Sequence, residues 1–386
     1  MAGGRTSEWQ NCLRFSLLRS IIICGHQARG VNLLDDSAQL PQPIRSLLNE
    51  RGIVNVSAAP SGMSGARVFR CHDRSGSVFA VKRWPAGTAA KRVDEVHSVT
   101  EFARQSGCKM IPPLIPWHDL SQGEFTSAKM RFTIDRHHWD AMPWMPGASL
   151  PIDCDLEQVS AGVATIAAFH AAVSELGSQI QPAPAVRSRL NRLVELDRLI
   201  PNMTSDAMVS REIARLDPPL ASALNEGLQL LKLQWHPARQ FIESSLRPFS
   251  TRNLPTQYVL RDVHRGHILF DSGQVTGLID FDAIRIDTPL MDLARWAGDF
   301  VIEREDIDSV WEAILAGLPQ NWAFLDSGET HPLPLLRTLH AANVWISLAN
   351  WVDWVILQRR TFAIGPDRVA ARVQQLVQGA GKTIVA

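Results

Sequence analysis

The stretch that most constrains this chain is residues 258–292, YVLRDVHRGHILFDSGQVTGLIDFDAIRIDTPLMD. Tyr258-Val259-Leu260 reads as a short strand and Ile268-Leu269-Phe270 as another. Asp271-Ser272-Gly273 is a turn, since these residues tolerate the backbone of tight reversals, and Gln274 to Ile279 is the returning strand. An antiparallel hairpin brings the start of one arm and the end of the other together. His267, just before the first arm, and Asp280, just after the second, are therefore expected as neighbours. The loop Arg261 to Gly266 hangs over the same end and carries Asp262 and His264 with it. Two carboxylates and two histidines at a sheet edge carry a desolvation cost that a cation or mutual pairing must offset. Mg²⁺ on one or two carboxylates, completed by phosphate oxygens, would do so. The D-x-H-x-x-H spacing of Asp262, His264 and His267 is by itself also compatible with a Zn²⁺ or Mn²⁺ hydrolase site.

At 386 residues the chain exceeds what one compact core usually holds, so two lobes are expected. Hydrophobic residues at 45% and charged residues at 20% give a globular balance. Lys and Arg together number 39, as do Asp and Glu, so no global field draws in nucleic acid or a membrane, and neither is expected as a partner. No run reaches the length of a membrane span. The five cysteines, Cys12, Cys24, Cys71, Cys108 and Cys154, form no CxxC pair, which points to free thiols in a reducing, cytoplasmic setting. Residues 1–40 read as an extension, either a tail or a helix lying on the body; Arg14 and Arg19 interrupt its apolar run.

Residues 42–51 read as a short helix. From Val54 to Val81, short apolar runs punctuated by Gly62, Gly65 and Gly76 predict an antiparallel meander. Val93, Val96, Val99 and Phe102 share one face of a helix over 88–106, with Gly107 as its cap. A second strand pair is expected over 129–134 and 138–142, and Pro143, Pro146 and Gly147 then mark a boundary between lobes. Residues 156–176 form an alanine-rich helix, 178–250 are helical and irregular, and 303–316 and 335–360 are helical again. The class is α+β: a small β-rich lobe over 41–143 precedes a larger, mainly helical lobe over 144–386.

The 258–294 stretch resembles the catalytic core of the aminoglycoside phosphotransferase and choline kinase-like superfamily, relatives of protein kinases. The pattern there is H-G-D-x-H-x-x-N, a hairpin, I-D-F, and then D-x-A. Asp262, His264, Ile279-Asp280-Phe281, Pro289, Asp292 and Ala294 fit it. The resemblance implies a protein-kinase-like two-lobed fold. It implies Asp262 as the catalytic base for an acceptor hydroxyl, Asp280 as holder of Mg²⁺ on nucleotide phosphates, and Asp292 as a carboxylate bracing the loop. Three positions depart from it. Leu260 replaces the histidine two residues before the aspartate, and Arg261 replaces the glycine. His267 replaces the metal-binding asparagine, and imidazole suits Mn²⁺ better than Mg²⁺.

The resemblance also implies roles further upstream. Lys82, closing the run Phe79-Ala80-Val81-Lys82, would bind phosphate, and Glu95 on the next helix would pair with it, with Glu101 as the alternative. Ser61-Gly62-Met63-Ser64-Gly65 sits where a phosphate-covering loop belongs, although a plain hairpin turn reads the same. In the linker, the carbonyl of Pro143 and the N–H of Met145 would meet adenine. His170 reads as a bracing histidine. Trp345, Trp351 and Trp354 read as core or as an aromatic wall for the acceptor, with core favoured. No dense acidic cluster marks an aminoglycoside site. The expected activity is ATP-dependent phosphoryl transfer, with Mg²⁺ or Mn²⁺, to a hydroxyl of a small molecule. A nucleotide-binding pseudokinase is the alternative.

Overall fold

The computed structural model describes residues 39–60, 62, 65–116, 130–203, 206–320, 322, 331–362 and 364–383. Ser64 and nearly all of the 1–40 extension lie outside the described residues. The chain opens with α1 (Gln42–Glu50), then β1 (Ile53–Ala58), β2 (Arg67–Asp73) and β3 (Val78–Arg83). After α2 (Ala90–Gln105) come β4 (Phe132–Ile134) and β5 (His137–Pro143). These strands form one five-stranded sheet in the order β1-β2-β3-β5-β4, antiparallel throughout. Its buried side packs Phe69, Val81, Trp139 and Ala141 against Ile44 and Leu48 of α1. Phe69 and Trp139 stack with centroids 6.1 Å apart.

A second, larger core belongs to the helical body. It is built by α3 (Leu156–Val173), α4 (Pro184–Met203), α5 (Asp206–Ile213), α6 (Pro218–Leu246), α7 (Leu290–Val301), α8 (Ile307–Ala316), α9 (Leu333–Val352) and α10 (Pro366–Thr383). Helix α2 joins this core through Val93, Val96, Val99 and Ala103, all on one face. Its apolar face thereby enters the helical core, while His97 on another side reaches Asp140 of the sheet. Helix α3 is long and apolar because most of it is interior. Gly162 lies so close to Trp296 of α7 that a Cβ there would sit 2.2 Å from the indole, and Trp296 donates its Nε1–H to the Val159 carbonyl at 3.0 Å.

Two small sheets join the parts. In one, β7 (Gln179–Pro182) and β11 (Arg285–Asp287) flank β8 (Asn253–Val259). In the other, β9 (Ile268–Asp271) pairs with β10 (Gln274–Leu278) and with β6 (Ala148–Ser149), which follows the linker. At Gly147, with φ +98°, a side chain would lie 2.4 Å from Thr276 Oγ1 and 2.7 Å from the Phe270 carbonyl. Only glycine lets the linker pass that close. The described cysteines Cys71, Cys108 and Cys154 are buried free thiols.

Candidate active site

The loop between β8 and β9 is held from below by one helix face. Asp292 of α7 is fully buried, and its carboxylate accepts the backbone N–H groups of Leu260 at 2.7 Å and Arg261 at 2.6 Å. His170 Nε2 completes the set at 2.8 Å. Two turns along the same helix, Asp299 accepts the Arg265 N–H at 2.9 Å. Asp292 and Asp299 thus pin both halves of the loop, in keeping with seven-residue spacing on one helical face. Arg261, so fixed, has φ +65°, in the left-handed region where glycine is at ease. Between the two anchors, Arg295 makes an ion pair with Asp262.

Asp262 turns its carbonyl to His267 Nδ1 at 2.6 Å. A carbonyl only accepts, so Nδ1 carries a proton and donates it. His267 Nε2 then faces Asp280 Oδ2 at 3.4 Å. The hairpin continues its ladder there, with Ile279 N–H on the His267 carbonyl at 2.9 Å. Asp280 sits just past β10 with φ +63°. His264 stacks on His267 with centroids 3.6 Å apart, and its Nδ1 accepts the Gly266 N–H. Burial and the neighbouring imidazole push His264 down to about 4, so it stays neutral at ordinary pH.

Lys82, near the end of β3, reaches across to this group. Its Nζ lies 3.2 Å from Asp280 Oδ1 and 2.5 Å from Asp282 Oδ1. Burial works against the Lys82 charge, but Asp280, Asp282 and Asp140 outweigh it and hold the ammonium above its usual range. One ammonium thus faces three carboxylates. Burial raises Asp282 to about 6, the Asp280 charge adding to it against the pull of Lys82. Asp280, also opposed by burial, is drawn down to about 2 by Lys82 and His267. For Asp262, the pull of Arg295 exceeds the effect of burial and lowers its pKa.

The Lys82–Glu95 pair expected from the resemblance does not form. Helix α2 turns His97 toward the sheet, where His97 Nε2 and Trp84 Nε1 meet Asp140 Oδ2 at 2.9 Å and 2.6 Å. Asp140 stands opposite Lys82 in the β3–β5 register. Glu95 lies on another face, 2.7 Å from Arg92 Nη1. Arg92 in turn donates to the carbonyls of Asp282 and Ile284, so Glu95 braces the segment after Asp280 rather than the lysine. Glu101 pairs with Arg104 at 2.7 Å, one turn further on.

The linker residues sit where two sheets meet. Pro143 closes β5 opposite Phe79, Trp144 donates to the Val78 carbonyl at 2.9 Å, and Met145 lies against Gly277 of β10. Gly62 and Gly65 fall in the β1–β2 connection, Gly65 with φ +78°. Trp345 and Trp351 are buried in the large core, so the packing reading holds for them rather than an acceptor wall. Among the described residues, no group of three or more His, Cys, Asp or Glu is placed to hold a metal ion.

Asp282, Arg295 and the Asp140–His97–Trp84 cluster are additions to the residues read from sequence. Asp282 had a signal, since it repeats Asp280 two residues on. Arg295 follows Asp292 by three residues on one helix face, a weaker clue.

A family model described as the phosphotransferase enzyme family matches residues 55–327. The chain belongs to the phosphotransferase enzyme family. No curated protein matches it. Among solved structures, it is similar to an aminoglycoside phosphotransferase from Alicyclobacillus acidocaldarius at 15% identity and TM-score 0.52, covering 89% of this chain and 93% of that one. It is also similar to a spectinomycin phosphotransferase in complex with ADP and spectinomycin, at 12% identity and TM-score 0.56, covering 86% and 94%. A third is an amicoumacin kinase in complex with AMP-PNP, Ca²⁺ and Ami, at 12% identity and TM-score 0.53, covering 88% and 94%. At these identities the likeness concerns the fold, which is the kinase-like two-lobed α+β fold of this phosphotransferase family.

Proposed function

We propose that this phosphotransferase moves the γ-phosphoryl group of ATP to a hydroxyl of a small molecule, in the cytoplasm. The observation that carries the reading is the convergence of Lys82, Asp280, His267 and the Asp262 loop from three separate stretches of chain. In-line phosphoryl transfer asks for a cation on the phosphates, a carboxylate for the metal, and a base at the acceptor hydroxyl. Lys82 supplies the first by releasing the carboxylates it now holds. Asp262 accepts the hydroxyl proton, and its lowered pKa keeps it ionised and ready at neutral pH. Gly62, Ser64 and Gly65 would cover the phosphates with backbone N–H groups, and Pro143 and Met145 would meet adenine through the main chain.

The donor set fits a divalent cation. With a proton on Nδ1 for the Asp262 carbonyl, His267 turns Nε2 toward a carboxylate oxygen 3.4 Å away, an arrangement that a cation or a second proton between them would satisfy. The excess of carboxylates around Lys82 adds to that demand. Asp280 and His267 would hold the ion, Mg²⁺ or Mn²⁺. Bound there, it would neutralise charge on the transferring phosphates. Asp282 is close enough to contribute an oxygen once Lys82 turns to the nucleotide.

The test is ATP turnover by the full chain over a panel of hydroxylated metabolites with Mg²⁺ and with Mn²⁺. Asp262→Asn should lower kcat by about 10²- to 10⁴-fold on the acceptor found. Full activity in that variant would remove Asp262 as the base. ATP binding without turnover on any acceptor, unchanged by His267→Asn, would favour the pseudokinase alternative.

A further inference from the structure

Beside the Asp262 loop lies a cavity of about 380 Å³ between α2, the first turn of α4, β11 and the loop itself. Arg261, Arg285 and Ser188 line it, together with Glu95 and Asp287. Its two carboxylates are already engaged. Asp287 Oδ1 accepts the N–H groups of Ala185 and Thr288, each at 2.9 Å, and Glu95 is bound to Arg92 with Arg285 3.7 Å away. The guanidinium of Arg261 is exposed and makes no side-chain hydrogen bond or ion pair among the described residues.

A further cation stands behind this wall. Arg189, next to Ser188 on α4, is held by the Ala185 carbonyl at 3.0 Å and by Asn343, both neutral acceptors. Its Nε finds no partner among the described residues although it is buried. Burial pushes its pKa down to about 10, against the pull of Asp287 and with the help of the like charges of Arg261 and Arg295. Arg189 is thus close enough to feel both Arg261, which lines the cavity, and Arg295, which covers Asp262. Arg189 and Arg261 share one nearby carboxylate, Asp287, whose oxygen is already committed to two backbone N–H groups, and an incoming anion would offset the cost of keeping these guanidinium groups together.

We propose that the acceptor carries an anionic group, a carboxylate or a phosphate, that docks in this cavity on Arg261 and Arg285 with Arg189 behind, while its hydroxyl meets Asp262. This rests on the kinase reading above and names the substrate class of that site. The same guanidinium groups would repel a cationic acceptor. Arg261 takes the place of the glycine expected from the resemblance, at a left-handed backbone position. A long charged side chain there is exchanged for backbone strain, and an anion is what makes that exchange useful.

The experiment uses calorimetric titration of the full chain, preloaded with AMP-PNP and Mg²⁺ so that Lys82 is occupied. The probes are glycerol, serinol, glycerate and glycerol 3-phosphate, which share one hydroxylated skeleton and differ in charge. Either or both anions should bind at least about tenfold more tightly than glycerol and serinol, and the better of the two names the group. Arg261→Gly, which suits the left-handed backbone and should fold, and Arg285→Gln should each weaken anion binding about tenfold, with Arg285→Lys recovering part of it. Anions that bind no better than glycerol, or anion binding indifferent to both substitutions, would overturn the proposal. Failure of the chain to bind AMP-PNP would instead count against the kinase reading, and the anion titration would still decide this one.

Discussion

Replacing Asp292 with Asn tests whether the loop that carries Asp262 is held from α7. The carboxylate accepts three hydrogen bonds, two on Oδ2 from Leu260 N–H and His170 and one on Oδ1 from Arg261 N–H. An amide keeps one acceptor. In its better orientation the oxygen stays with Leu260 and His170, and the NH₂ group is turned against the Arg261 N–H. One charge-assisted bond is lost and a donor is left buried against a donor, at about 1.5–3 kcal/mol for the bond with the orphaned donor largely included. Two more bonds weaken from ionic to neutral, about 1 kcal/mol each. Relief from burying a charge offsets part of this, leaving a net loss of about 3 kcal/mol, a large share of a typical domain's stability. Arg261 holds a left-handed conformation that costs about 1–2 kcal/mol, so once its N–H is released the loop relaxes and Asp262 moves with it. A displacement of that kind costs about 10²-fold in kcat. Urea unfolding gives the first number and steady-state kinetics on the acceptor the second. If Asp292→Asn stayed within about 0.5 kcal/mol of the parent and kept its kcat, the loop would not depend on this carboxylate.

Other sites give independent tests. His340 is buried in α9 with Nε2 unpartnered among the described residues, and burial pushes it down to about 4. The unfolded chain takes up its proton near 6.5 and the folded chain only near 4. Stability from this group is therefore full above about pH 6.5 and declines as pH falls toward 4, by about 3 kcal/mol in all. Urea midpoints at about pH 7 and pH 5 should differ less in His340→Leu than in the parent. Gly162→Ala gains helix propensity but drives a methyl into Trp296, so it should lose about 1–3 kcal/mol by thermal or urea unfolding, where an open site would gain. His267→Asn replaces an imidazole with an amide oxygen and should lower the ratio of Mn²⁺-supported to Mg²⁺-supported kcat. An unchanged ratio would remove His267 from the metal site.

Local backbone rules carried the sequence reading a long way. The Asp271-Ser272-Gly273 turn starts the β9–β10 register, and a one-residue bulge between Val275 and Gly277 then sets His267 beside Ile279 and Asp280. The helices and strands around Lys82 follow from apolar spacing and glycine punctuation, and their antiparallel order places Lys82 in the middle of the sheet. Arg295 and Asp282 are among the site residues that sequence patterns did not single out. Arg295 sits on α7, between the two carboxylates that pin the loop, and nothing in its local pattern separates it from a solvated helix arginine. Asp282 follows Asp280 by two residues, yet only the approach of Lys82 from the other lobe gives it an ion-pair partner. Both depend on contacts between distant stretches, which periodicity does not encode.

The lysine partner shows why a family pattern can place a residue on the right helix and the wrong face. A helix turns 100° per residue, so Glu95 and His97 lie on opposite sides of α2. The apolar set Val93, Val96, Val99 and Ala103 fixes which side enters the large core. With that stripe buried, His97 faces Asp140 beneath β3, and Glu95 faces Arg92 and the segment after Asp280. The carboxylate that a lysine in this position needs is then supplied from the sheet and the hairpin, by Asp140, Asp280 and Asp282, rather than from the helix. Rotating α2 would move His97 on Asp140, and Arg92 on the main-chain carbonyls of Asp282 and Ile284 that follow Asp280.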